Sequence, residues 1–154
     1  MRKTYDELAN TTTHAIGFGM ALVASIFLMF KASCNAGQLI PSLLYCLTLI
    51  MTYASSMAYH GCPNKKIKKH FQKLDHSTIY MTIAGSWTPI FILSLPPDLG
   101  VPSTVFMWVV ATFGTVYKIF LLGKFPKMAI LSYLTLGWGG MIWAPHLLAS
   151  YGNA

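Results

Sequence analysis

The sequence predicts an all-α integral membrane protein, built as a bundle of five transmembrane helices. Hydrophobic residues make up 55% of the 154 residues and charged residues only 10%, which is too little polar surface for a soluble globular domain. A helix needs about 20 mainly apolar residues to cross a bilayer, and five segments meet this need. They cover residues 12–31, 41–60, 76–95, 102–122 and 126–148. No linker separates them, so residues 1–154 are predicted to form one transmembrane domain.

The first segment has the basic lead-in of a signal peptide, because Arg2 and Lys3 precede it. However, polar residues continue as far as Thr13, and the apolar run from His14 to Phe30 is longer than the core of a signal peptide. Further hydrophobic segments follow it. We therefore interpret residues 12–31 as the first spanning helix.

Prolines are predicted to mark the starts of three of these helices. Pro41, Pro102 and Pro126 stand at the beginnings of the second, fourth and fifth segments, where the first helical turn has no hydrogen bond to lose. Pro89 lies inside the third segment instead. There it removes a backbone hydrogen bond and is expected to kink the helix.

The basic residues predict the orientation of the chain. Of the 11 Lys and Arg residues, only Lys31 falls in a gap on one side, and the other ten cluster on the opposite side. By the positive-inside rule, the N-terminus is cytoplasmic and the C-terminus lies outside the cell membrane. The gap at Lys65–Lys69 is predicted to be a lysine-rich loop that either binds anionic lipid or only sets this topology. The formal charge of +7 is explained in this way, without nucleic acid as a partner.

His60 and Asp75 are the most informative polar residues, because they lie at facing ends of the second and third segments. Ionisable groups at membrane depth are costly and usually pair with or bind something. Ser56 precedes His60 by four residues, so both share one helix face. Asp75 begins a polar stripe that continues through Thr82 and Ser86 at helical spacing. This stripe is predicted to face the interior of the bundle.

The N-terminal residues repeat the pattern, since Glu7, Asn10 and His14 are spaced along one helix face. Three segments therefore direct histidines and carboxylates toward one region near the inner leaflet. Histidine, carboxylate and water together form a ligand set that suits zinc. Two simpler interpretations stay open. His60 could be a hydrogen-bonded interfacial histidine, and Glu7 with Asn10 could only cap a helix.

Four motifs cover nearly the whole chain. They are Glu7-x-x-Asn10-x-x-Thr13-His14-x-x-Gly17, Ser56-x-x-x-His60, Asp75-His76-x-x-Ile79-Tyr80-x-x-Ile83-Ala84-Gly85-Ser86-x-Thr88-Pro89 and Tyr133-Leu134-Thr135-Leu136-Gly137-Trp138. Their order and spacing resemble the hemolysin III branch of the progestin and adipoQ receptor family. The block from Asp75 to Pro89 is too specific to be explained by chance.

The resemblance implies a seven-helix fold with a cytoplasmic N-terminus and a zinc ion near the inner leaflet. In the family, zinc is held by the histidine of the Ser-x-x-x-His motif and by two histidines of a His-x-x-x-His motif on the seventh helix. An aspartate at the start of the third helix reaches the metal through water. Carried over, His60 is a direct ligand, and Asp75 orients or deprotonates the zinc-bound water. Asp75 is therefore a predicted catalytic residue, together with Ser56, which can orient the His60 ring or bind water beside it. Adiponectin-receptor members are associated with ceramide hydrolysis, which implies a ceramide-like lipid amide as substrate.

The sequence departs from this family pattern in its last part. Only the first five of seven helices are expected, and His146 has no histidine four residues before or after it. The zinc site is therefore expected to be incomplete, unless His14 is recruited or self-association or a second chain completes the bundle. Zinc-dependent lipid amide hydrolysis, impaired by this loss, is the leading hypothesis. The alternatives are a protein that permeabilises membranes, a receptor, or a proton relay along the polar stripe.

Overall fold

The computed structural model describes residues 2–121, 124 and 126–152, and these ranges contain helices but no strand. The all-helical fold is therefore confirmed. The helices are α1 Arg2–Ala32, α2 Ala36–Gly61, α3 Lys65–Ser94, α4 Pro97–Leu121, α5 Pro126–Gly139 and α6 Ala144–Gly152, with a short 3-10 turn, Gly140–Trp143, between the last two.

Three of the described helices are long and apolar enough to cross a membrane: α1 from Thr4, α2 and α4. The third helix is also long, at 30 residues, but its first turns are rich in lysine. The fifth has only 14 residues. The described part of the chain is thus a helical membrane bundle, in which the predicted third span belongs to a helix with a lysine-rich start and the predicted fifth span contains no single helix long enough to cross a bilayer.

Two of the three prolines that were predicted to start helices lie inside them. The second helix begins at Ala36 rather than residue 41, because the Asn35 side chain accepts a hydrogen bond from the Gly37 amide at 2.9 Å and caps it. Pro41 therefore lies inside the helix. The fourth helix begins at Pro97, which leaves Pro102 inside as well. Of the three prolines predicted to start helices, Pro126 alone does so, whereas Pro97, which was not predicted, starts α4.

The predicted lysine-rich loop is helical, which corrects the expectation for residues 65–69. The Asn64 side chain accepts hydrogen bonds from the amides of Lys66, at 2.9 Å, and Ile67, at 3.3 Å, and so starts α3 at Lys65. Asp75 consequently lies about three turns inside this helix, not at its first residue.

The predicted fifth span, 126–148, is not one continuous α-helix. It is interrupted at Gly140–Trp143, where the chain tightens into a 3-10 turn. Glycine weakens a helix at Gly139 and Gly140, and Pro145 has no amide hydrogen to donate to the Met141 carbonyl. These residues explain why the apolar pattern continues while the α-helix does not.

The third helix lies at the centre of the bundle. Its residues Tyr80, Ala84 and Phe91 are buried and pack in one apolar cluster with Met107 of α4 and Leu136 of α5. Small residues permit close helix contact: a Cβ added at Gly17 would collide with the Tyr53 ring, and one at Gly85 would collide with Thr48. At Gly137 and Gly139, however, an added Cβ would meet nothing within 4 Å.

Hydroxyl groups join α2 to α3 near the middle of both helices. The side chains of Thr52 and Thr82 are hydrogen-bonded to each other, and Ser55 Oγ lies 3.0 Å from Thr78 Oγ1. Thr82 also contacts the Thr48 carbonyl at 3.0 Å. The predicted polar stripe thus contributes to helix packing at Thr82, while Ser86 bonds to a carbonyl of its own helix.

Candidate functional site

Glu7 links the ends of three helices. One carboxylate oxygen, Oε2, lies 2.8 Å from His60 Nδ1 at the end of α2, and the other, Oε1, lies 2.9 Å from Lys68 Nζ at the start of α3. The contact is possible because α1 begins well before its apolar part and carries Glu7 alongside the end of α2. The His60 side chain is only 17% exposed. A single carboxylate therefore holds a mostly buried histidine and a lysine together.

The hydrogen bond to Glu7 sets the chemistry of the His60 ring. A carboxylate can only accept, so Nδ1 must donate, and in the neutral ring Nε2 is left with a free lone pair. Histidines that bind metals usually donate their other ring nitrogen to a carboxylate or carbonyl in this way. The geometry therefore orients His60 as a ligand or as a base acting through Nε2.

Two neighbouring groups determine the protonation state of Glu7, which precedes the apolar run of α1. The hydrogen bond from Lys68 and then that from His60 lower the pKa of the Glu7 carboxyl below its usual value. The ionised form is the one that both partners bind. Glu7 is thus held as a carboxylate, the form needed to keep the proton of His60 on Nδ1.

A second histidine lies beside the first. The rings of His14 and His60 are stacked, with centroids 5.5 Å apart and planes 5° from parallel. His14 Nε2 is 3.3 Å from the hydroxyl of Ser56, which is buried. The Tyr59 ring also packs on His60, with centroids 4.6 Å apart. We call Glu7, His14, Ser56 and His60 the histidine cluster.

The structure does not bring every predicted residue into this cluster. Asn10 is exposed, and its carbonyl accepts a hydrogen bond from Thr13 of the same helix. Asp75 is half-buried, and no hydrogen bond or ion pair between described residues joins its carboxylate to His60 or Glu7. Its electrostatic neighbours are His76 and Tyr133. His146, on α6, is exposed.

Two residues that contact the histidine cluster, Lys68 and Tyr59, were not predicted from the sequence to be part of the site. The sequence places Lys68 in the predicted lysine-rich loop, whereas in the structure it pairs with Glu7, and its ammonium lies 5.1 Å from the Tyr59 ring centroid. Asn64 was the available signal, because an asparagine before a run of good helix formers indicates a helix start. A helix there would have turned Lys68 toward α2.

The described residues fit only part of a zinc site. Among residues 2–121, 124 and 126–152, no group of three or more His, Cys, Asp or Glu side chains could hold a metal ion. His60 has the orientation of a ligand, and His14 is its nearest histidine, which gives two nitrogen donors at most. Catalytic zinc sites use three protein ligands. The cluster is therefore too small, by itself, to bind zinc tightly.

Comparison with known proteins gives one family and several relatives. The family described as "Haemolysin-III related" matches residues 3–154. A protein named "Hemolysin-3" from Bacillus cereus is 34% identical over 135 residues, which cover 86% of this chain. A "Hemolysin-3 homolog" from Bacillus subtilis (strain 168) is 33% identical over 151 residues, or 97% of this chain and 71% of its own length.

The similarity extends to animal proteins. The human "Monocyte to macrophage differentiation factor" is 28% identical over 138 residues, which cover 86% of this chain and 58% of that protein. The relatives are longer than the matched region, since the chain spans 62% of the Bacillus cereus protein. The match includes the whole histidine cluster, because its residues all lie within 3–154.

Proposed function

Because this chain belongs to the haemolysin III family, we propose that it is a membrane protein whose histidine cluster is part of a zinc-dependent site for hydrolysing lipid amides. The observation that supports this proposal is the hydrogen bond between His60 Nδ1 and Glu7 Oε2, at 2.8 Å. It leaves Nε2 with a free lone pair, which is the arrangement of a histidine that binds metal. Ceramide-like lipids are the proposed substrate class.

Each residue of the cluster has a role that follows from its contacts. Glu7 holds the proton of His60 on Nδ1, and Lys68 keeps Glu7 ionised. Ser56 and His14 are hydrogen-bonded to each other beside the His60 ring and can orient a polar headgroup. Asp75 is the proposed base, and it would have to approach the cluster from α3. Zinc itself would supply the Lewis acidity that amide hydrolysis needs.

The remaining ligands are proposed to come from outside the described cluster. Two histidine nitrogens do not make a catalytic zinc site, and no other described His, Cys, Asp or Glu completes a group of three. A second polypeptide or a second copy of the chain is the proposed source. We further propose that the cluster faces the cytoplasm, with the N-terminus inside and the C-terminus outside the cell membrane.

Hydrolysis of a fluorescent ceramide in liposomes that contain the purified protein tests this function. Release of the labelled fatty acid is expected from the self-associated native protein, in which a second copy supplies the remaining ligands, and is expected to stop with a zinc chelator or with His60→Ala. Glu7→Gln should reduce the rate about 10- to 100-fold, as losses of an orienting partner do. His70→Ala is the matched control, because His70 is exposed and its Nδ1 lies 3.2 Å from the Lys66 carbonyl of its own helix. Release that is unchanged by His60→Ala would refute the proposal.

Permeabilisation of membranes is a second candidate function. The supporting observation is the 34% identity to a protein named "Hemolysin-3", and this function needs no complete metal site. Dye leakage from liposomes distinguishes the two candidates. Leakage that persists in His60→Ala and Asp75→Ala favours permeabilisation, and leakage lost in both variants points back to the histidine cluster.

A further inference from the structure

A cationic pocket lies between the end of α2 and the first turns of α3. Its volume is about 260 Å³, and its walls are Tyr59, Lys65, Lys68, Lys69 and Gln72. The pocket exists because residues 65–74 are helical, which places lysines at consecutive turns instead of spreading them along a loop. We call it the lysine pocket.

The lysine pocket and a set of apolar side chains lie on opposite sides of the first turns of α3. Lys65, Lys68, Lys69 and Gln72 follow the i, i+3, i+4, i+7 pattern of one side of a helix. Ile67, Phe71 and Leu74 follow a similar pattern on the opposite side. Ile67 and Leu74 are 49% and 50% exposed. A helix with lysines on one face and exposed apolar side chains on the other is typical of the membrane interface.

The positive charge of the pocket is largely uncompensated. The chain has only four acidic residues, and the ion pairs among described residues both use Glu7. Lys68 shares its charge with Glu7, but neither Lys65 nor Lys69 forms an ion pair with a described carboxylate. Three ammonium groups around a small cavity therefore favour an anionic ligand.

We propose that the lysine pocket binds the phosphate of an anionic phospholipid headgroup. Lysine ammonium groups pair well with phosphate oxygens, and Gln72 and Tyr59 add neutral hydrogen-bonding groups at the same cavity. The exposed apolar face on the opposite side of the same helix is typical of a segment at the membrane interface, where lipid headgroups are concentrated. That location favours a lipid over a soluble phosphate.

The lysine pocket also shares a residue with the histidine cluster. Lys68 lines the pocket and at the same time bonds Glu7, which in turn bonds His60. A headgroup phosphate at Lys68 competes with Glu7 for that ammonium group. The lipid site is therefore adjacent to the histidine cluster and coupled to it through Lys68, but the proposal that it binds phosphate does not require the cluster to be catalytic.

Binding of short-chain lipids to the purified protein in detergent tests the proposal. Dioctanoyl phosphatidylglycerol is expected to bind at least about tenfold more tightly than dioctanoyl phosphatidylcholine, since each lysine near an anionic lipid contributes measurably. The double variant Lys65→Gln, Lys69→Gln should lose that preference. The control is a second double variant, Lys66→Gln with Lys73→Gln. It removes the same amount of charge from residues outside the pocket and should change the affinity less than about twofold.

Three results would overturn the lipid site. Equal losses in the two double variants would indicate a general surface charge and no pocket. Equal binding of the two lipids would mean that the negative charge is not recognised. Glycerol phosphate that binds as tightly as phosphatidylglycerol would identify the ligand as a soluble phosphate. Matching thermal unfolding of both double variants confirms that neither comparison reflects misfolding.

Discussion

Glu7 joins α1, α2 and α3 through the two oxygens of one carboxylate. Its bonds to His60 and Lys68 are 2.8 and 2.9 Å long, and both partners come from other helices. A substitution at this residue therefore affects the state of a histidine and the position of a lysine at once. Glu7 therefore contributes to the charge balance, to the contact between three helices and to the proposed role of His60.

The protonation of Glu7 provides the first prediction. Its pKa is lowered mainly by Lys68, so the pairing stabilises the fold at neutral pH and is lost as pH falls through that lowered pKa. Titration of the labelled Glu7 carboxyl by nuclear magnetic resonance should give a midpoint below that of an ordinary glutamate. Lys68→Met should move the midpoint upward, whereas Lys65→Met should leave it in place. A midpoint unaffected by Lys68→Met would contradict the pairing.

Helical spacing in the sequence was sufficient to predict the members of the histidine cluster. Glu7 and His14 are seven residues apart on one helix, Ser56 and His60 are four apart on the next, and the structure brings these four together. The position of Asp75 could not be obtained in the same way. It depends on how far α3 extends toward the N-terminus and how the helix is rotated, and both are set by packing between helices.

At the scale of the element, helix starts are decided by caps more than by prolines. Asn35 and Asn64 bond to the amides that follow them, and each extends its helix beyond the apolar run that predicted it. Hydrophobic content indicates which residues can lie in a bilayer, but it does not show where a helix begins in the polar region. For that reason the five segments were predicted and the helical state of the lysines was not.

The cap on α3 gives a second prediction. Asn64→Ala removes the acceptor for the amides of Lys66 and Ile67, which should cost about 0.5–2 kcal/mol at this helix end. Hydrogen exchange at residues 65–69 should become faster, while exchange in the middle of α3 stays slow. Asn10→Ala is the control, since Asn10 is exposed within α1. Unchanged exchange at residues 65–69 would show that the cap is dispensable.

Close contact between α2 and α3 gives a third prediction. A methyl group at Gly85 would collide with Thr48 and push apart helices that Thr82 joins through the Thr48 carbonyl. Gly85→Ala should therefore destabilise the bundle by about 1–3 kcal/mol, measured by unfolding in a denaturing detergent. Gly19→Ala should be neutral or stabilising, because an added Cβ there meets nothing within 4 Å and alanine favours helices. Equal effects of the two variants would contradict this packing.

At the scale of the whole molecule, the family resemblance predicted from four motifs is confirmed by the match over residues 3–154. The motifs were recognisable because polar residues inside apolar helices stand out from their surroundings. The interruption of the fifth span was harder to foresee, since Gly139, Gly140 and Pro145 weaken an α-helix without changing the apolar pattern. Composition predicts a membrane bundle, but not the shape of each helix in it.

Native cysteines test the proposed orientation in the membrane. Cys34 is exposed after α1, Cys62 is half-buried after α2, and Cys46 is buried between them. If the N-terminus is cytoplasmic, a membrane-impermeant maleimide should label Cys34 on intact cells and Cys62 only after permeabilisation. Cys34→Ser and Cys62→Ser identify which thiol reacts. Labelling of Cys62 on intact cells would reverse the topology.

Zinc content tests the central claim, that His60 is a metal ligand oriented by Glu7, most directly. The chain is purified from membranes without chelators, and its metals are measured by mass spectrometry for the native protein, His60→Ala and His70→Ala. Because a second copy of the chain would have to complete the ligand set, we expect zinc in the self-associated native protein and in self-associated His70→Ala, and its loss in His60→Ala. A native protein without zinc, or an equal zinc content in His60→Ala, would contradict the claim.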